Sequence, residues 1–117
     1  MCCKNRFAQA GQLNRSGMED LNQGRVLEAK EKLLCALAQV RAVGSVCYEA
    51  KILNNLGLVY HRQGDRFGAG RHYRSALSIV EDKIGTDNML YGTICKNLVT
   101  LEKESQAWSG ERPAQAA

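Results

Sequence analysis

The chain has almost no proline: the single one among 117 residues is Pro113, near the C-terminal end. Leu, Ala, Lys, Glu, Gln and Arg dominate the rest, so helix propensity is high nearly throughout, which argues against a sandwich or barrel and for one all-α domain. An apolar run of the ~18 residues that a membrane span needs is also lacking, as is an apolar opening stretch of secretory type. The expected location is therefore the cytoplasm, with no membrane contact. Nor does the chain contain a CxxC pair, a Cys/His set at metal spacing, a nucleophile–base pair, paired carboxylates or a Gly-rich phosphate loop. These gaps point away from an enzyme and from any metal or cofactor.

Of the five cysteines, Cys35 and Cys95 fall among apolar helical residues and Cys47 lies near a helix start. The expectation is of buried thiols acting as small hydrophobes. Cys2-Cys3 is the one pair where acylation or redox chemistry would fit. The net charge of +4 permits nucleic-acid binding. However, the basic cluster Arg62, Arg66, Arg71, His72 and Arg74 is interrupted by Asp65 and Glu81, which suits a solvated face better than a phosphate-binding stripe. His61 and His72, the only histidines, read as surface or groove residues.

What is present is a regular series of helix patterns. Breaks at Gln23-Gly24, Gly44-Ser45, Gly64-Asp65 and Gly85-Thr86-Asp87 predict helices over about 5–22, 25–43, 46–63, 66–84 and 88–107. A Ser/Gly/Pro/Ala tail, 109–117, is expected to be disordered. Ser45 is the expected N-cap of the third helix, and Asp87 or Thr86 that of the fifth. Short connections make sequential helices antiparallel neighbours.

The pattern also repeats. "NQGRVLEAKEKLLCAL" (22–37) aligns with "RQGDRFGAGRHYRSAL" (62–77) at an offset of 40, matching Gly24 to Gly64, Ala29 to Ala69, Leu33 to Tyr73 and Ala36-Leu37 to Ala76-Leu77. "AKILNNLGLV" (50–59) aligns with "GTICKNLVTL" (92–101) at an offset of 42. A fixed offset between helix pairs is the mark of a helical repeat array. Mid-helix Gly57 then has a purpose, because a glycine there costs roughly 0.5–1 kcal/mol against alanine unless something packs very close. Gly57 and Ala69 are the expected contact of the two backbones, with Tyr60, Tyr73 and Leu77 filling the larger gaps beside them. Gly68 and Gly70 exceed what that packing needs.

Leu56-Gly57, Tyr60, Gly64, Ala69, Tyr73 and Ala76 keep the order and spacing of the tetratricopeptide repeat, which hairpin 50–83 resembles. The first hairpin keeps Leu13, Gly17, Gly24, Ala29, Leu33 and Ala36, but Ser16 and Asp20 replace apolar residues. Glu81 stands where the signature closes with proline. The spacing exceeds the usual period of about 34 residues and is similar to the elongated repeats of the kinesin light chain kind, whose "LGxDHPxVAxxLNNLA" passage "IGTDNMLYGTICKNLV" (84–99) resembles. The resemblance implies a right-handed α-solenoid of antiparallel hairpins over 1–108. Two hairpins, about 5–43 and 46–84, would be closed by a capping helix at about 88–107.

It also implies a non-enzymatic adaptor that binds a peptide or partner protein in a concave groove lined by the first helix of each hairpin. Arg15, Asn55 and Asn97 are equivalent positions and form a ladder across that groove; Asn14, Asn54 and Lys96 lie one residue earlier. An asparagine amide both donates and accepts, so it can pair with an extended peptide backbone or, instead, tie neighbouring hairpins together. Both uses stay open. Lys51, Leu58, His61 and Arg62 lie along the groove face of the third helix and, with Arg15, make the groove basic, favouring an acidic or carboxylate-bearing peptide. Asn14, Met18, Thr93 and Asn97 occupy the positions of the chaperone-binding carboxylate clamp and only Asn55 matches it, so a chaperone's terminal carboxylate is not the expected ligand. The alternative is a structural role: with about three repeats usually needed for a stable array, an uncovered end would stack on a second copy.

Overall fold

The computed structural model describes the backbone of residues 3–116 and the side chains of residues 7–104. Among the described residues the protein is all-α, with α1 (Cys3–Asn22), α2 (Val26–Val43), α3 (Val46–Arg62), α4 (Arg66–Lys83) and α5 (Met89–Ala116). α5 passes residue 107, where the sequence reading closes it. The side chains of 109–117, and those of Cys2 and Cys3, lie outside the described residues.

The two hairpin turns are built alike. Gly24 and Gly64 both sit at φ +83°, a left-handed conformation that glycine adopts without a Cβ penalty. The next residue then donates its backbone N–H back to the last helical turn, Arg25 to Asp20 O at 2.8 Å and Asp65 to Tyr60 O at 2.9 Å. Asp65 also caps α4 by accepting from Gly68 N at 2.8 Å, which Arg25 cannot do for α2. The cap of α5 is Asn88, whose Oδ1 accepts from Tyr91 N at 2.8 Å. The sequence reading placed that cap at Asp87 or Thr86; Asn88 wins because its amide also donates to Gly85 O, closing the loop from both sides. Ser45 stands at the N-cap position of α3 without a side-chain bond.

Burial follows the helical period. Ala29, Leu33, Ala36, Leu37 and Val40 of α2, and Ala69, Tyr73, Ala76 and Val80 of α4, form equivalent inward stripes against Ala10 and Leu21 of α1 and Leu53, Leu56 and Val59 of α3. Each helix packs on the next, and α3 also touches α1 and α5, so the odd-numbered helices share one face. Gly57 is the close approach, to the Tyr73 ring rather than to Ala69 as expected: a Cβ there would clash with Tyr73 Cε1 and stand 2.5 Å from Cδ1. At the equivalent Gly17 a Cβ would stand 3.1 Å from Leu33 Cγ and 3.3 Å from Ala29 O. Gly68, unexplained by sequence, is required twice: a Cβ there would meet the capping Asp65 carboxylate at 2.5 Å and the Tyr60 ring at 3.0 Å.

The cysteine expectation is corrected. Cys35 and Cys47 are exposed and Cys95 is half-buried. Cys35 lies in an apolar run, but two residues is more than half a turn from Leu33, so Cys35 and Leu34 both point outward.

Candidate functional site

The face shared by α1, α3 and α5 carries most of the polar residues singled out in the sequence. Two side-chain hydrogen bonds cross it. Asn55 Nδ2 donates to Asn14 Oδ1 at 2.8 Å, joining α3 to α1, and Asn97 Nδ2 donates to Asn54 Oδ1 at 2.9 Å, joining α5 to α3. The rungs are therefore staggered. In each pair the residue from the second position of one helix reaches back to the first position of the preceding odd helix. Asn54 is buried, whereas Asn14, Asn55 and Asn97 are half-buried. An amide has two donors and two lone pairs, so Asn55 and Asn97 each keep a carbonyl and one N–H beyond the pair.

Two clefts flank these bonds. One, of about 530 Å³, lies between Met18, Leu21 and Asn22 of α1 and Leu58, His61 and Arg62 of α3. The other, of about 450 Å³, lies between Lys51, Asn54 and Asn55 of α3 and Met89, Leu90 and Thr93 of α5. Of the eight residues expected from sequence, six line the clefts. Arg15 is exposed and lines neither, and Asn97 stands beside Asn54 between the helices. Met89 and Leu90 were not foreseen; their only signal is their position one turn before Thr93 on the same helix.

Several cleft residues are held in place by contacts behind them. Arg62 donates to Leu21 O at 3.2 Å, a second bond on a carbonyl that already accepts from Gly24 N at 3.1 Å. The Lys51 ammonium stands 5.6 Å from the Tyr48 ring centroid. His61 Nε2 lies 2.5 Å from Glu104 Oε2, tying α3 to α5. Lys51 and Arg62 therefore leave each cleft with a cation at its rim.

A different polar group sits inside the first hairpin. Asp20, on α1, is buried and takes the Arg25 guanidinium at 2.7 Å on one oxygen and Lys32 Nζ at 2.7 Å on the other, while Lys32 also donates to Ser16 Oγ at 2.8 Å. The Lys32 bond, then that of Arg25, holds the Asp20 carboxyl below its ordinary value against the opposing effect of burial. Inside the second hairpin the Tyr73 hydroxyl has no hydrogen-bond partner among the described residues. Burial, reinforced by Glu104, pushes its pKa up to about 12.

A third cleft, of about 590 Å³, is lined by Gln9, Gln12, Leu13, Ser16 and Gln39, on the first hairpin. Their 40-residue equivalents include Ile52 and Leu56, which are fully buried, so the first hairpin has an open polar lining where the second has packed core. Among the described residues no group of His, Cys, Asp and Glu side chains could hold a metal ion. Compared with protein-family models and with curated proteins, the chain finds no match.

Proposed function

We propose that this chain is a helical-repeat binding module, an α-solenoid of two tetratricopeptide-like hairpins closed by α5, that holds a peptide or partner protein along the face of α1, α3 and α5. It performs no chemistry of its own and works in the cytoplasm as an adaptor or scaffold. No described helix is long and apolar enough to cross a membrane. The observation that carries the reading is the pair of clefts on one face, each with an apolar floor and a cation at its rim: Leu21, Leu58 and Arg62 in one, Leu90 and Lys51 in the other. The preferred ligand is an acidic segment long enough to lie across both. Asn55 and Asn97 take part through the amide groups their mutual pairing leaves unused, while Asn54 serves the array from within.

The test is a pull-down from the protein's own cell lysate, with retained proteins identified by mass spectrometry, comparing wild type with Lys51→Glu/Leu58→Ser. The expected outcome is a partner kept by the wild type and lost by a variant of unchanged helicity and melting. Identical retention by both would remove the groove from consideration.

A second reading, self-assembly through the α5 end, rests on Val99. It is 48% exposed at the position where Gly57 receives Tyr73 in the preceding unit. Sedimentation at high concentration decides it: a strict monomer ends that reading.

A further inference from the structure

Between α4 and α5 lies a cleft of about 280 Å³ lined by Arg66, Phe67, Gly70, Arg74, Leu101 and Glu102, on surface the odd-helix face does not include. Phe67 is 75% exposed there, while Leu101 is nearly buried and forms apolar floor. Neither Arg66 nor Arg74 forms an ion pair among the described residues.

The repeat shows what such a surface receives. One unit earlier, the Tyr60 ring of α3 has the Lys30 ammonium of α2 at 4.7 Å and the His72 ring of α4 stacked on it at 4.6 Å. The first turn of α4 closes on the same ring through Gly68. The offsets of 40 and 42 put Gly70 at the place of Lys30 and Glu102 at the place of Tyr60. No further helix follows α5 among the described residues to supply the third member. Gly70 adds to the opening: a Cβ there would meet only the movable tip of Arg74, at 3.1 Å, so close backbone packing does not require the glycine. Its effect is that the movable Arg74 guanidinium, rather than a lysine as at Lys30, lies over this part of the floor.

We infer that this cleft is a docking site for an acidic amphipathic helix of a partner protein, seated against α5 much as α4 is seated against α3. Arg66 and Arg74 lie eight residues apart on α4, about 12 Å at 1.5 Å per residue, which matches carboxylates two turns apart on the incoming helix. An apolar side chain between those carboxylates meets Phe67 and Leu101. Glu102 on the opposite rim repels a continuous phosphate backbone and restricts the ligand's negative charge to the side facing α4.

The inference is tested with the full chain and a short lactam-bridged helix bearing Glu, Leu and Glu at successive turns of one face, read by fluorescence anisotropy. Controls are the same helix with Lys for Glu and a single-stranded oligouridine. The acidic helix should bind, and Arg66→Glu/Arg74→Glu should weaken it about tenfold or more. Gly70→Lys, which puts a side chain where Lys30 stands in the first hairpin, should weaken it with helicity retained, and Lys51→Glu in the groove should leave it unaltered, separating this site from the one above. Absence of binding, equal binding of the lysine helix, or indifference to the α4 variants overturns it. So does arginine-dependent capture of oligouridine without the acidic helix, or self-association through this surface in its place.

Discussion

The two hairpins share a backbone plan and differ in what fills it. At equivalent places the first has Ser16, Asp20 and Lys32 joined in a polar network, and the second has Leu56, Tyr60 and His72, with Tyr60 and His72 stacked. Gly17 accepts a leucine beside it; Gly57 accepts one side of a tyrosine ring. The same hairpin geometry thus tolerates a charge-based or an aromatic interior, provided the glycine and the two alanines opposite it stay small. The difference extends beyond the interior, since Gln12 is exposed at the place where the second hairpin buries Ile52.

The largest test of this comparison is to add one methyl group to each hairpin. Gly57→Ala must displace Tyr73 and should lower stability by about 1–3 kcal/mol, as overpacking of a dense core does. Gly17→Ala meets contacts of 3.1–3.3 Å, and the helix preference of alanine, worth about 1 kcal/mol, offsets most of the strain. Urea melts of the two variants should therefore separate clearly; equal losses would mean the two interfaces are equally tight.

Removing the Tyr73 hydroxyl has a smaller effect, of opposite sign. Tyr73→Phe takes away a buried donor with no partner and should raise stability by about 1 kcal/mol. Its pH signature is distinctive. Burial raises the folded-state pKa of this tyrosine from 10.0 to about 12, so the unfolded chain ionises first. The stability present below pH 10 is then lost as pH rises from 10 towards 12. Melting curves of the phenylalanine variant should lack that alkaline decline, and an unchanged decline would assign it to another group.

The smallest effect lies at the acid end and belongs to the first hairpin. The Asp20 carboxyl is held below 3.8 by Lys32 and Arg25, so its stabilising contribution is complete above that value and is lost as pH falls through the folded-state pKa. Asp20→Asn should flatten the acid limb of the stability profile with little change in its shape above pH 5. If the limb persists, the network is not what acid breaks.

The helices, the turns at Gly24 and Gly64, and the need for a small residue at Gly57 were legible in the sequence because each rests on local spacing or on the repeat offset; that the Tyr73 ring, rather than Ala69, fills the space at Gly57 was not. The asparagines were legible as a group but not as pairs. Their offset aligns Asn55 with Asn97, whereas the bonds run diagonally from Asn55 to Asn14 and from Asn97 to Asn54, a matter of how adjacent helices are displaced along their axes. Gly68 was opaque for a related reason: its need arises from a cap three residues before it and from a ring on another helix. Cys35 misled because apolar neighbours in sequence are not neighbours around a helix.

The staggered asparagine bonds also amount to a connector with two unlike ends. Each odd helix offers one residue to the unit after it and the next residue to the unit before it: Asn14 and Arg15, Asn54 and Asn55, Lys96 and Asn97. Only the middle helix has asparagine at both, and a hairpin copied with that pair could be inserted and linked on either side with no change in its neighbours. The outer helices each keep the half that faces inward and replace the other with an exposed cation, Arg15 at one end and Lys96 at the other. Two adjacent positions thus decide both links of each odd helix, an amide where a neighbouring helix is bonded and a cation where none is.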